Sequence, residues 1–428
     1  MSQLILVDIG RRPHFALIIA ALPLFLALPG CADGDQPAVG EQREARAITA
    51  LTPELETVVA ANDQLAWALY GQLAAPSTNL FFSPFSIDAA LSMTSLGARG
   101  GTESEMRAVL GIPETPDEYH QAFGALLADL TGAHRGRGYQ LYLANRLFGQ
   151  ENTPFAATFS DATSNFYRAP LETVDYRTDA EAARSVVNAW VSDNTRGAID
   201  ELIPVGTFDT NTRLTLANAI YFQSSWASAF DPKNTQSAPF LLEDGSEKSV
   251  PLMHASGQFP MASDEQFSML AIDYADRELS MLVVLPRERG GLARMEPLLD
   301  AQRWRALSSS LVEQKVSLSL PRFEARSDLS LKSALSTLGM PTAFGLDADF
   351  SGLLEPGPGR EPLYLSHVLH QGFVHVDEAG TTAAAATAVV VATRSVPPAF
   401  RVDQPFVFGI QDKLTGALLF LGRIADPG

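Results

Sequence analysis

The chain has 428 residues, 46% of them hydrophobic and 19% charged, a composition able to bury a large core. Its net charge of −18 repels nucleic acid and acidic membrane surfaces, and its single cysteine rules out an internal disulfide framework or a CxxC metal site. Length alone is a soft prior for two or three domains.

The N-terminus accounts for the cysteine. Arg11 and Arg12 precede an apolar run over 15–28, the length of a signal-peptide core and short for a membrane span. It ends in Leu28-Pro29-Gly30-Cys31, which resembles the bacterial lipobox; the other reading is a plain secretory signal with an incidental cysteine. Residues 1–31 are therefore expected to be a leader ending at a lipidated Cys31, and the polar residues 32–51 a flexible tether. Export, with an anchor in the cell envelope leaning toward the outer membrane, follows as an expectation; without the anchor the protein is extracellular.

From residue 52 the elements follow in order. Thr52-Pro53 opens an amphipathic helix over 53–73. A short strand at 79–82 stops at Ser83-Pro84, and a second helix carries Ile87, Leu91 and Leu96. Thr102 and Glu105 read as a capping box for a third helix. A strand is expected over 139–148, then a helix over 180–194 with Val186, Val187, Trp190 and Val191 as its buried side. The apolar run 214–222 fits a central strand covered on both faces. Strands at 280–286 and 316–320, a helix over 331–338, strands at 363–369 and 373–376, and a hairpin of 406–410 with 417–424 complete the chain. Helices early and strands late, with no repeat or linker, favour one large α+β domain over 52–428.

The stretch 378–398, EAGTTAAAATAVVVATRSVPP, stands apart. From Gly380 to Thr393 it has no charge, no proline and no side chain larger than valine. By composition alone it is a buried strand or helix.

The order of motifs resembles that of a serpin, over roughly 53–427. The matching pieces are NLFFSPFSI at 79–87, NAWV at 188–191 with TRG at 195–197, NAIYF at 218–222 with Trp226, and DPKNT at 231–235. LGM at 338–340, DFSG at 349–352, PFVF at 405–408 and LFLGR at 419–423 complete them. The resemblance implies three β-sheets, eight or nine helices and an exposed reactive-centre loop at 378–398. It implies a suicide inhibitor, not an enzyme, with no cofactor or metal, a monomer whose partner is a trypsin-like serine protease held as a covalent acyl complex. The cleaved bond would be Arg394-Ser395, the alternative being cleavage shifted by one residue, to Thr393 or Ser395. The hinge would be Glu378, Gly380, Thr381, Thr382, Ala383, Ala384, Ala385, Ala386 and Thr387. Ser83, Asn218 and His370 match a buried shutter beneath the sheet, and Trp226, Arg322 and Glu378 a breach where the loop enters.

The residue types suit that role. An inserting strand sends alternate side chains into the core. Neither face of the loop carries a charge that would be costly to bury, or a proline that would delete a ladder hydrogen bond. The rivals are weaker. There is no G-x-S-x-G, H-E-x-x-H or G-x-G-x-x-G for an enzyme, and His367 and His370 on one strand point to opposite faces, against a metal. A non-inhibitory serpin that binds or chaperones is the alternative.

Overall fold

The structure, a computed structural model, describes residues 46–131, 138–357, 361–381 and 397–428. Local rules set the helices. Pro53 starts α1 (Pro53–Leu73) beneath Thr52, whose Oγ1 accepts from the Leu55 N–H at 3.3 Å. Ser83 likewise caps α2 (Pro84–Ser95), every residue of which is buried. The third helix departs from expectation. α3 (Gly100–Leu110) has no side-chain cap; Thr102 accepts from the Asp349 N–H, and Glu105 reaches across to Thr342. Tertiary partners have taken both members of the apparent capping box. α4 (Pro116–Thr131) and α5 (Ala157–Tyr167) follow, then α6 (Ala180–Asn194). The α6 core face is Ala183, Val187, Asn188 and Val191; Val186 is exposed, and Asn188 is buried instead because its amide binds the backbone of Leu202 and Ile203. α7 (Leu292–Met295), α8 (Ala301–Ser309) and α9 (Lys332–Leu338) make nine α-helices among the described residues.

The strands form two hydrogen-bonded networks. The first contains β1 (Leu80–Phe82), β5 (Gln236–Leu241), β6 (Glu247–Ser263), β7 (Phe267–Asp273), β8 (Leu279–Pro286), β9 (Val312–Pro321), β13 (Ala399–Arg401), β14 (Phe406–Asp412) and β15 (Leu418–Ile424). Its two halves, β5-β6-β9-β13 and β7-β8-β14-β15-β1, are joined because β6 runs unbroken for 17 residues through both. Three sheets are expected, and hydrogen bonding fuses two of them through this strand.

The second network orders β10 (Phe323–Ser330), β11 (His367–Val376), β4 (Leu214–Ser225), β2 (Tyr139–Gln150) and β3 (Glu172–Val174), with β12 (Gly380–Thr381) lodged between β11 and β4 at one end. One face of this sheet packs on the main core with α1 and α2; the other carries α6 through Phe148, Val187, Val191, Ala217 and Ala219. Among the described residues no helix is long and apolar enough to cross a membrane, and no group of His, Cys, Asp and Glu is placed to hold a metal.

Residues 46–48, within the stretch assigned to the tether, are held on the domain: the Arg46 guanidinium lies between Asp129 and Asp412, and the Ala47 and Ile48 N–H groups donate to Asp129. Cys31 and the leader lie outside the described residues.

Candidate functional site

The site is a seam in the second sheet. β11 and β4 are parallel neighbours only from His367↔Thr215 to Gly372↔Ile220. Beyond that point they diverge, and the returning chain enters the gap. Val376 pairs with Thr381 on one side, while Ser225 and Ser224 pair with Gly380 and Thr381 on the other. A turn delivers it: the Asp377 N–H donates to the Gly380 carbonyl at 3.0 Å, and the Asp377 carboxylate accepts from the Ala379 and Gly380 N–H groups. A Cβ on Gly380 would stand 2.2 Å from the Ser224 carbonyl oxygen, so this approach requires glycine. Thr381, 1% exposed, turns its hydroxyl to the Tyr274 hydroxyl at 2.9 Å.

The expected breach residues do converge here. The Arg322 guanidinium donates to Glu378 Oε1, from Nε at 2.9 Å. Burial pushes the Glu378 carboxyl up, but Arg322 and the Thr235 hydroxyl outweigh it and hold the pKa below its ordinary value. Trp226 Nε1 donates to the Asp377 carbonyl at 2.9 Å, its backbone N–H donates to the Ala379 carbonyl, and its ring stacks on Tyr274 at 4.8 Å. Thr235, Asp377 and Tyr274 belong to this set and were not read from the sequence.

Lower on the seam, Ser83, Asn218 and His370 also meet. His370 Nε2 accepts the Ser83 N–H at 3.1 Å, and its Nδ1 pairs with Asn218 Oδ1, which fixes the proton on Nδ1. Burial forces the ring down to about 3, so it stays neutral. The Ser83 hydroxyl caps α2 and donates to the Leu419 carbonyl at 2.7 Å. Asn218 Nδ2 donates to the Ser86 carbonyl at 2.8 Å and to Asn145 Oδ1. Ser86 and Asn145 were missed. The signal was present: Leu-Ala-Asn occurs at 143–145 and again at 216–218, and Asn145 and Asn218 are register partners. His367, as expected of its spacing from His370, leaves the core and meets Phe208 on the α6 side.

Thr382, Ala383, Ala384, Ala385, Ala386, Thr387, Thr393, Arg394 and Ser395 lie outside the described residues. Downstream, Ser317 donates to the Pro398 carbonyl, and β13 continues along β9. The candidate loop is thus anchored at both ends, at Thr381 in one sheet and at Pro398 in the other network.

The comparisons agree with this architecture. The family model "Serpin (serine protease inhibitor)" matches residues 60–427. Serpin B6 of Macaca fascicularis is 38% identical over 361 residues, 82% of this chain and 94% of that protein. The leukocyte elastase inhibitor of Sus scrofa is 37% identical over 385 residues, 87% of this chain and all of that protein. Among solved structures, uncleaved ovalbumin superposes with a TM-score of 0.79 at 29% identity, covering 87% of this chain and 100% of its own. Human thyroxine-binding globulin complexed with thyroxine gives a TM-score of 0.79 at 30% identity, over 87% of this chain and 99% of that one.

Proposed function

Since the chain belongs to the serpin family of serine protease inhibitors, we propose that it is a suicide inhibitor of trypsin-like serine endopeptidases. The protease serine attacks the Arg394 carbonyl and the C–N bond to Ser395 breaks. The new amine leaves, and Arg394 remains as an ester on the enzyme. The Arg394 guanidinium suits a primary pocket with an aspartate at its base. Severed from Ser395, the upstream segment is free to extend into the seam as a strand.

The observation that carries this reading is the register of β12. Extended residue by residue, it would bring Ala383 between Phe222 and Val374, Thr387 between Asn218 and His370, and Val391 opposite Leu214. The two sides agree with one another because β11 and β4 already share a single parallel offset. Odd positions then face the main core, where Thr381 already points, and receive Ala, Ala, Thr, Val and Val. Even positions face α6, where Ala386 and Ala388 come level with Ala219 and Ala217. Insertion must part the β11–β4 pairing and the His370–Asn218 bond; in return both strands gain a new partner. Arg394, thirteen residues beyond Thr381, would come to lie about 40 Å from Thr381 toward the far end of the sheet, dragging the acylated protease with it.

Incubation with trypsin tests the proposal. An SDS-stable complex, with Ser395 as the new N-terminus by mass spectrometry, is the expected result. A clean cut without a complex supports the non-inhibitory alternative, and turnover of a test ester would make the protein an enzyme. We also propose export and lipid anchoring through Cys31, supported by the residues around it; Cys31→Ser should move the protein from the membrane fraction to the soluble one.

A further inference from the structure

Arg46 precedes the residues that the family model covers, yet it is built into the fold. Its guanidinium occupies a socket of two carboxylates: Nε donates to Asp129 Oδ2 at 2.8 Å, and NH1 donates to Asp412 Oδ1 at 2.5 Å. Both carboxylate side chains are 0% exposed and the arginine side chain 10%. The Ala47 N–H donates to Asp129 Oδ1 at 2.9 Å. The two walls belong to different parts of the molecule. Asp129 lies in the last turn of α4. Asp412 ends β14, where Thr415 caps it and the adjoining Lys413 binds Asp273 and the Glu278 carbonyl.

The α4 wall is tied to the seam. The Tyr139 hydroxyl donates to the Leu130 carbonyl at 3.2 Å, and Tyr139 begins β2, which pairs with β4 from Tyr139↔Ser224 to Gly149↔Leu214. For β4 to leave β11, β2 must move with it, and the end of α4 must yield or follow. We propose that residues 46–48 are a strap that fastens the end of α4 to the β14–β15 turn and so restrains opening of the seam. The strap rests on the inhibitory reading above, since it sets the rate of the same insertion.

The test uses the mature full-length chain and the variant R46M/D129N/D412N, which neutralises the arginine and both carboxylates together. Insertion after trypsin cleavage is followed by stopped-flow tryptophan fluorescence, Trp226 standing at the hinge. The variant, with parental far-UV circular dichroism, is expected to insert at least about threefold faster and to need less inhibitor per trapped protease. Arg46→Lys keeps the charge but loses the planar fork, and should fall between the two; it serves alone if the triple variant does not fold. A parent whose melting temperature fails to rise on nicking overturns the inhibitory reading and the strap together. A parent that does rise, with variants inserting no faster, overturns the strap alone.

Discussion

Thr381→Glu puts the proposed insertion under direct stress. In the uncleaved protein Thr381 is buried beside Tyr274 and paired with Val376 and Ser224, so a glutamate there escapes burial only if Gly380 and Thr381 withdraw from the gap. An inserted loop has no such escape, because the residues that follow Thr381 would then also be held between β11 and β4. Burying a carboxylate there costs roughly 3–5 kcal/mol. A hydrogen bond from the Tyr274 hydroxyl to a charged acceptor returns about 1.5–3 kcal/mol. The difference, about 2 kcal/mol, slows insertion roughly 30-fold if the transition state feels most of it. Deacylation then wins, and the variant is consumed as a substrate. Titrating a fixed amount of trypsin reads the result as inhibitor required per enzyme inactivated, with Thr381→Ser as the control that keeps the hydroxyl. A Thr381→Glu protein that traps as efficiently as the parent would falsify the claim that the hinge must be buried.

Other consequences concern the seam and the groups beneath it. Gly380→Val should evict β12, seen as fast hydrogen exchange at 380–381 and slower complex formation; unchanged protection would contradict the close approach to Ser224. His370 and His120 are held down to about 3 and about 4 by burial, against an ordinary value near 6.5. Their contribution to stability is whole above pH 6.5 and is lost as pH falls through the folded values, by about 1.4 kcal/mol per unit for each. Melting curves from pH 7 to 4 should show this, and His120→Gln should flatten the slope. Asp88 has the opposite sign: burial raises it to about 8, against a single opposing hydrogen bond from the Ser92 hydroxyl among the described residues. Its native proton is an advantage below an ordinary carboxylate's range that disappears as pH climbs toward 8. Asp88→Asn should therefore stabilise by about 2 kcal/mol or more at pH 8 and far less at pH 4; equal gains at both would refute the assignment.

Much of this molecule is legible in its residues because the signals are local. Thr52-Pro53 and Ser83-Pro84 mark helix starts by cap chemistry, and the apolar run through 214–222 reads as a central strand because both its faces are covered. The misreadings arise where a distant partner decides. Thr102 and Glu105 form a capping pattern, but Asp349 and Thr342 claim them. Val186 has the right spacing for the α6 core, yet the buried place goes to Asn188, which satisfies the backbone at 202–203. At the seam, Ser83, Asn218, His370, Arg322 and Glu378 were readable as motif positions. Tyr274 and Asn145 were not, and Thr235, though within the DPKNT motif, gave no sign of its role, since each acts through a partner far along the chain. The splaying of β11 from β4 has no signature in either strand; it arises from what the turn at 377–380 lays between them.

Ser83 and Ser86 sit on one helix with no exposed residue, and each holds a different strand: Ser83 grips β11 through His370, and Ser86 grips β4 through Asn218. The two halves of the sheet are thus moored separately to a fixed post beneath them, in addition to being joined to each other. Parting them is a sequence of unmoorings whose order is decided from below. Substitutions on that concealed post, remote from any protease, should therefore set how readily the halves drift apart before a bait is ever cut.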